Sequence, residues 1–407
     1  MIKRTMISGF NAAGIDVADL RVLPAAVSQH LLKTHGYDLG FHVGTSSTDP
    51  EMIQIRFFEQ PGVRLGSALR KEIEKHYTRQ ELRRVAAAAI GSVTYPARVR
   101  EGYAQDLLSG IDVEAVRRRR FRIVVDYGYS AASFVLPLVL GPLEIEAVTA
   151  HGFASRGDVS PGMVRESIDQ ARRLVGPVAA DLGVVLDRAA ERLSLLDEQG
   201  HEVPPEQALL LFPRLIAAAG RSGKLAFPIT VTSQVDALVE DSDELEIVRT
   251  PASPAALTRA AADDGVIFAG TVEGGYAFPE FLPAFDAVTA LCKLLELLAP
   301  VERPLSELVA ELPSPSLVRR EVQCPWAMKG LVMRVLTERL KGRDLDLLDG
   351  IKVYDERGWA QVLPDPDEPL LHIYAEGRTV EESDELESEL EALVEEAMEG
   401  EPVAART

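Results

Sequence analysis

Asp187-Arg188-Ala189-Ala190-Glu191-Arg192 is the stretch whose residue types come nearest to metal chemistry. It follows a short apolar run, Leu182 to Leu186, at the place where an α/β domain presents carboxylates to a divalent ion. Hard cations such as Mg²⁺ want several oxygen ligands converging at about 2.0–2.1 Å. Asp187 and Glu191 supply oxygens, but Ala189 between them has none to give and Arg188 adds a positive charge. Read without further context, Asp187, Arg188, Glu191 and Arg192 are better taken as surface ion pairs.

Three other segments occupy comparable turns. Gly44-Thr45-Ser46-Ser47-Thr48-Asp49-Pro50 is rich in hydroxyls, but a hydroxyl is a poor nucleophile unless something activates it. Taken alone, the run is an ordinary capped turn. Gly270-Thr271-Val272-Glu273-Gly274-Gly275-Tyr276 offers the carboxylate of Glu273, and Leu363-Pro364-Asp365-Pro366-Asp367-Glu368-Pro369 gathers acids and prolines.

Strands must position these turns. Phe121 to Asp126 reads as a strand ending in an acid, Phe134 to Leu140 as a helix and Leu143 to Val148 as the next strand. Asp181 to Asp187, Gly223 to Thr232 and Gly265 to Ala269 read as further strands, and Phe285 to Leu298 as a helix. Earlier, Val27 to Leu32 reads as a helix leading into Tyr37 to Val43. Short strands alternating with helices argue for βαβ units in parallel or mixed sheets, whose ligands bind beyond the carboxyl ends of the strands. The last part differs. A helix from Ala327 to Leu340 precedes three strands joined by short turns, Gly350 to Tyr354, Ala360 to Leu363 and Leu370 to Glu376. An acidic helix follows, with Leu386, Leu390, Leu393 and Val394 along one face, suited to packing in its own domain or against a second copy in a homo-oligomer.

Breaks near 100–120, 200–220 and 300–320 divide the chain into 1–118, 119–215, 216–315 and 316–407. The expected fold class is α/β: three mixed-sheet α/β domains followed by an α+β C-terminal domain. A chain of 407 residues exceeds the ~250–300 at which one core stops growing, which agrees with several domains.

Composition excludes some partners. Sixty-three acidic against 43 basic residues give a net charge of -20, which repels nucleic acid and anionic membrane. The run Arg117 to Arg120 is a solvated helix end rather than a binding patch. No stretch approaches the ~18 apolar residues of a membrane span, and Cys292 and Cys324 lack the spacing of a disulfide framework or a zinc site. A cytoplasmic location is expected.

Taken together, the four turns resemble those of the phosphohexomutase superfamily, the phosphomannomutases and phosphoglucomutases, over residues 1 to about 400. The family's nucleophile loop T-A-S-H-N-P is matched by Thr45 to Pro50, which places Ser47 on the phosphorylated serine and Thr48 on the histidine. Arg56 stands near the family's lysine. The metal loop D-G-D-A-D-R is matched by Asp187 to Arg192, with Asp187 kept, Ala189 in place of the second aspartate and Glu191 in place of the third. The sugar loop G-E-x-S-G-H becomes Gly270 to Gly275, with Glu273 in a shifted position, and the phosphate loop R-P-S-G-T-E-P becomes Leu363 to Pro369. Acceptors and negative charge there should reject phosphate. The family's first strand is missing, since Met1 to Arg4 opens directly on a helix. The module is also similar to the carboxyl-terminal half of long mannose-1-phosphate guanylyltransferases.

The resemblance implies a module of sugar-phosphate or sugar-nucleotide metabolism. With four loops altered together, the expectation is a scaffold or regulatory domain without mutase activity and without a cofactor, partnered by a nucleotidyltransferase domain or subunit. The alternative is a divergent mutase for a sugar phosphate. It would use Ser47 as phosphoserine, with Arg56, Arg188, Arg192 and Glu273 on the substrate and Mg²⁺ at Asp187 and Glu191.

Overall fold

The computed structural model describes residues 1–45, 52–152, 163–240 and 242–399. Two of its sheets follow one plan. In the first, strand Arg122–Asp126 lies parallel to Glu146–Ala150 on one side and Leu182–Leu186 on the other, and Leu193–Leu196 returns antiparallel at the edge. In the second, Gly223–Pro228 lies parallel to Leu245–Thr250 and Val266–Gly270, with Tyr276–Ala277 antiparallel at the edge. In both, the turn singled out from the sequence joins the last parallel strand to its antiparallel return. The mixed sheets expected from the alternating pattern are present.

Two strand boundaries shift for local reasons. Leu143 does not open a strand; its amide still bonds Val139 O at 3.3 Å and Glu144 takes a φ of +54°, so the strand waits until Glu146. The strand beginning at Gly223 ends at Pro228 rather than Thr232, as suits a residue with no N–H for the ladder.

The N-terminal segment is not a parallel α/β sheet of the same kind. Strands Leu39–Thr45 and Ile53–Glu59 pair antiparallel with Val63–Arg64 beyond them, while Val17–Ala18 and Val93–Thr94 form a short parallel pair. The chain opens on helix Ile2–Ala12, and helix Ala25–His35 closes with Gly36 in the left-handed conformation.

One apolar core runs from Ala26 to Leu312 through the two α/β sheets, and helix Ala287–Leu298 contributes most of its residues to it. Every residue of that helix but Glu296 is buried, as an all-round apolar helix must be. Asp286 starts it, accepting the amides of Val288 and Thr289 at 3.1 and 3.4 Å together with the Tyr103 hydroxyl. Lys293, buried within it, meets Glu280, Glu296 and the Gly110 carbonyl. Helix Val113–Arg119 is capped by Asp112 and ends on Arg117 to Arg119, where cations complement the helix dipole.

Residues 317–399 have a separate core. Five antiparallel strands, in the order Leu317–Gln323, Leu370–Gly377, Gly358–Pro364, Ile351–Tyr354 and Asp344–Asp346, are covered by helices Trp326–Arg339 and Val380–Glu399. Leu386, Leu390, Val394 and Ala397 are buried here, so the acidic helix packs inside its own domain. The joint to the preceding sheet is polar. Glu376 accepts from Thr232, from the amide and hydroxyl of Ser233 at 2.8 and 2.7 Å, and from Trp359 Nε1 at 2.8 Å. Beside it Lys352 donates to Ile229 O at 2.7 Å over the Trp359 ring. Among the described residues no helix is long and apolar enough to cross a membrane.

Candidate active site

Strand Leu182–Leu186 is buried along its whole length and delivers Asp187 to its carboxyl end. The turn then closes on itself. Asp187 Oδ1 accepts the amides of Glu191 and Arg192 at 2.7 and 3.0 Å, and the Asp187 amide returns to Arg192 O at 3.0 Å. Burial and the nearby Glu191 charge push the Asp187 carboxyl up to about 6, against the pull of those two amides and Arg192.

Glu191 points the other way, into the hairpin of residues 39–59. The register of that hairpin sets His42 opposite Arg56. Arg56 is 7% exposed; its Nη1 pairs with Glu191 Oε1 and its Nη2 lies 3.3 Å from His42 Nδ1. Arg64 approaches the second Glu191 oxygen at 3.5 Å. Burial and the Arg56 charge push His42 down to about 4, so its ring is neutral and accepts from the guanidinium. Arg188 and Arg192 are partly buried, and their side chains have no hydrogen-bond or ion-pair partner among the described residues. The expected surface ion pairs within 187–192 are thus replaced by a buried Arg56–Glu191–Arg64 cluster between two segments. His42 and Arg64 were not among the sequence candidates; strand alternation around residues 46–51 is the signal that pairs His42 with Arg56.

The third turn docks on the second. Leu193 N donates to Gly274 O at 3.0 Å, and Arg192 bridges to Gly275. Gly274 has a φ of +81°, and a Cβ there would meet Leu193 O at 2.3 Å, so this approach needs glycine. Glu273 is exposed at the edge of a small cavity lined by Thr271, Tyr374 and Arg319. The fourth turn leads into the strand Leu370–Gly377 that carries Tyr374; burial raises the Tyr374 hydroxyl pKa, Arg319 opposes, and the charges of both Glu273 and Asp365 add to the rise.

In that fourth turn Asp365 faces inward. Its Oδ1 accepts the amides of Asp367 and Glu368, each at 2.7 Å, and its Oδ2 meets His372 Nε2 at 2.8 Å. Lys329 binds the carbonyls of Asp365 and Glu368 from behind. The turn keeps donors, but its own carboxylate fills them. Ser47 lies outside the described residues; the two strands flanking 46–51 are those that carry His42 and Arg56.

Mg²⁺, which the resemblance implies, does not fit the donors present. Both Glu191 oxygens face arginines, Asp187 Oδ1 holds two amides, and Ala189 has no donor atom. Among the described residues no three His, Cys, Asp or Glu side chains converge.

Residues 1–84 match the family model described as phosphoglucomutase/phosphomannomutase, alpha/beta/alpha domain I, and residues 101–200 match domain II of the same set. The chain is 29% identical, over 97% of its length and 87% of the relative's, to a protein of Methanopyrus kandleri named "Probable phosphoglucosamine mutase". Over nearly its whole length the chain is similar to members of the phosphohexomutase superfamily. A second superfamily relative, the "Phosphoglucomutase/phosphomannomutase" of Thermococcus kodakarensis, is 26% identical over 98% of this chain and 88% of its own. Among solved structures, a phosphoglucomutase/phosphomannomutase family protein from Burkholderia thailandensis superposes with a TM-score of 0.82 at 18% identity, covering 98% of this chain and 87% of the other. The N-acetylphosphoglucosamine mutase of Aspergillus fumigatus, solved with GlcNAc-6P and magnesium, gives 0.59 at 12% identity over 97% and 93%.

These likenesses overturn the expectation of a non-catalytic module. The relatives that span nearly the whole chain are named as mutases, and superfamily members have been solved with sugar phosphate bound. The finer likeness to guanylyltransferases gains no support from them. Counting lost family residues misjudged the second turn, because Arg56 and Arg64 arrive there from another segment.

Proposed function

We propose that the chain is a divergent phosphohexomutase, an intramolecular phosphotransferase for a hexose or amino-hexose phosphate, with Ser47 as its phosphoserine. The observation that carries this reading is the basic cluster. A protein of net charge -20 directs Arg56, Arg64, Arg188 and Arg192 to the carboxyl end of one buried strand; a strand next to Ser47 in sequence brings Arg56, and the strand paired beyond it brings Arg64. Local positive charge in a repelling overall field is what a phosphorylated substrate requires. In the reaction the Oγ–P bond of phosphoserine breaks as a P–O bond forms to one sugar oxygen, whose proton passes by way of water to the freed serine oxygen and is handed back the same way in the return transfer. The phosphoryl group on the other sugar oxygen then returns to Ser47.

In this reading Glu273, exposed at the edge of the cavity lined by Thr271, Arg319 and Tyr374, accepts from a sugar hydroxyl. The test is interconversion of the 1- and 6-phosphates of glucosamine, mannose and glucose with a bisphosphorylated sugar as activator, followed by phosphopeptide mass spectrometry. Turnover lost in Ser47→Ala, with phosphate mapped to Ser47 in the parent, is expected. No interconversion of any of the three and no phosphate on Ser47 would refute the reading.

A further inference from the structure

We infer that this site binds its phosphoryl group with guanidinium charge in place of a divalent cation. The inference rests on the function proposed above and assigns Arg56, Arg64 and Arg192 as the anion-binding residues. Three observations support it. First, the carboxylates that would ligate a metal are engaged: Arg56 and Arg64 take the two oxygens of Glu191, and backbone amides take Asp187 Oδ1. A cation seeking about six oxygens would have to break both ion pairs and find replacements for them. Second, the charge balance already matches. Four arginines against Asp187 and Glu191 leave a formal surplus of two positive charges, that of one divalent ion.

Third, donors remain unspent. Arg56 Nε is buried and has no acceptor among the described residues. The guanidinium groups of Arg188 and Arg192 have no partner among the described residues. A guanidinium presents a planar fork of N–H groups that matches phosphate oxygens two at a time, and it cannot lose its proton. The buried Arg56–Glu191 pair fixes that fork against the turn. Arg192 is held through its backbone by Gly275 and Asp187.

Two measurements on the full chain test this. Inorganic phosphate is titrated calorimetrically in excess EDTA and again with Mg²⁺, and free Mn²⁺ is counted by electron paramagnetic resonance as protein is added. Phosphate should bind equally well in both buffers. Its affinity should fall at least tenfold in Arg192→Gln, a partly exposed position that leaves folding intact, and be partly restored in Arg192→Lys. Arg56→Gln should abolish binding, with circular dichroism confirming the fold. Any Mn²⁺ taken up should be weak and unchanged by Asp187→Asn. Phosphate binding that needs Mg²⁺, or stoichiometric Mn²⁺ uptake lost in Asp187→Asn, would overturn the inference. A mutase that turns over but stops in EDTA would overturn it while leaving the proposed function standing. Metal-free phosphate binding without turnover would have the opposite effect.

Discussion

Asp365 Oδ2 lies 2.8 Å from His372 Nε2 while Asp365 Oδ1 accepts two amides of its own turn, so one carboxylate occupies the anion seat of the fourth loop. In Asp365→Ser the amides of Asp367 and Glu368 and the His372 ring lose that partner. Phosphate or sulfate should then bind at this turn, seen as amide shifts at residues 365, 367 and 368 that the parent does not show. The variant should also lose about 1–3 kcal/mol of stability in ligand-free buffer, the usual penalty for unpaired polar groups.

Removing Glu191 leaves the buried Arg56 uncompensated, and removing Arg56 leaves Glu191 only the more exposed Arg64, 3.5 Å away. Arg56→Met or Glu191→Gln should each cost about 3–5 kcal/mol in urea unfolding. The double variant should cost distinctly less than the sum of the singles, because neither charge is then stranded. Additive costs would show that the two side chains do not interact.

Gly274→Ala places a methyl group against Leu193 O in a left-handed backbone conformation. A loss of about 1–3 kcal/mol follows from the strain. Amide exchange at Leu193, whose N–H bonds Gly274 O, should quicken more than exchange in strand Leu182–Leu186.

Lys352 ties stability to alkaline pH. Burial, and then the Arg249 charge, bring its ammonium down to about 7 from an ordinary 10.5, while Glu376 and the Trp359 face oppose the shift. Below about 7 both the folded and unfolded chains hold the proton and the cost of burying it is fully present. Between about 7 and 10.5 only the unfolded chain holds it, so stability from this group rises with pH. Urea midpoints between pH 7 and pH 10 should climb less in Lys352→Met than in the parent.

Much of this architecture was legible because burial is written in apolar periodicity. Leu182 to Leu186 and the helix ending at Leu298 could be read directly, and so could the acidic helix with its leucine face. The family motifs led to each of the four turns. The partnerships between turns were not legible. Arg56 and Glu191 were both singled out, but they stand 135 residues apart, and no local pattern says that one will neutralise the other. Asp365 posed the complementary difficulty. Its charge was plain, and its meaning depended on whether the side chain turned toward solvent or back onto its own amides.

The segment from 317 onward seals its apolar surface within itself and meets the rest through Glu376, Lys352 and a few neighbouring polar groups. Swinging it outward would expose little oily surface, and water can replace each bond that is lost. Opening between the two bodies is therefore held by a catch of hydrogen bonds, with the hydrophobic interior of either left undisturbed.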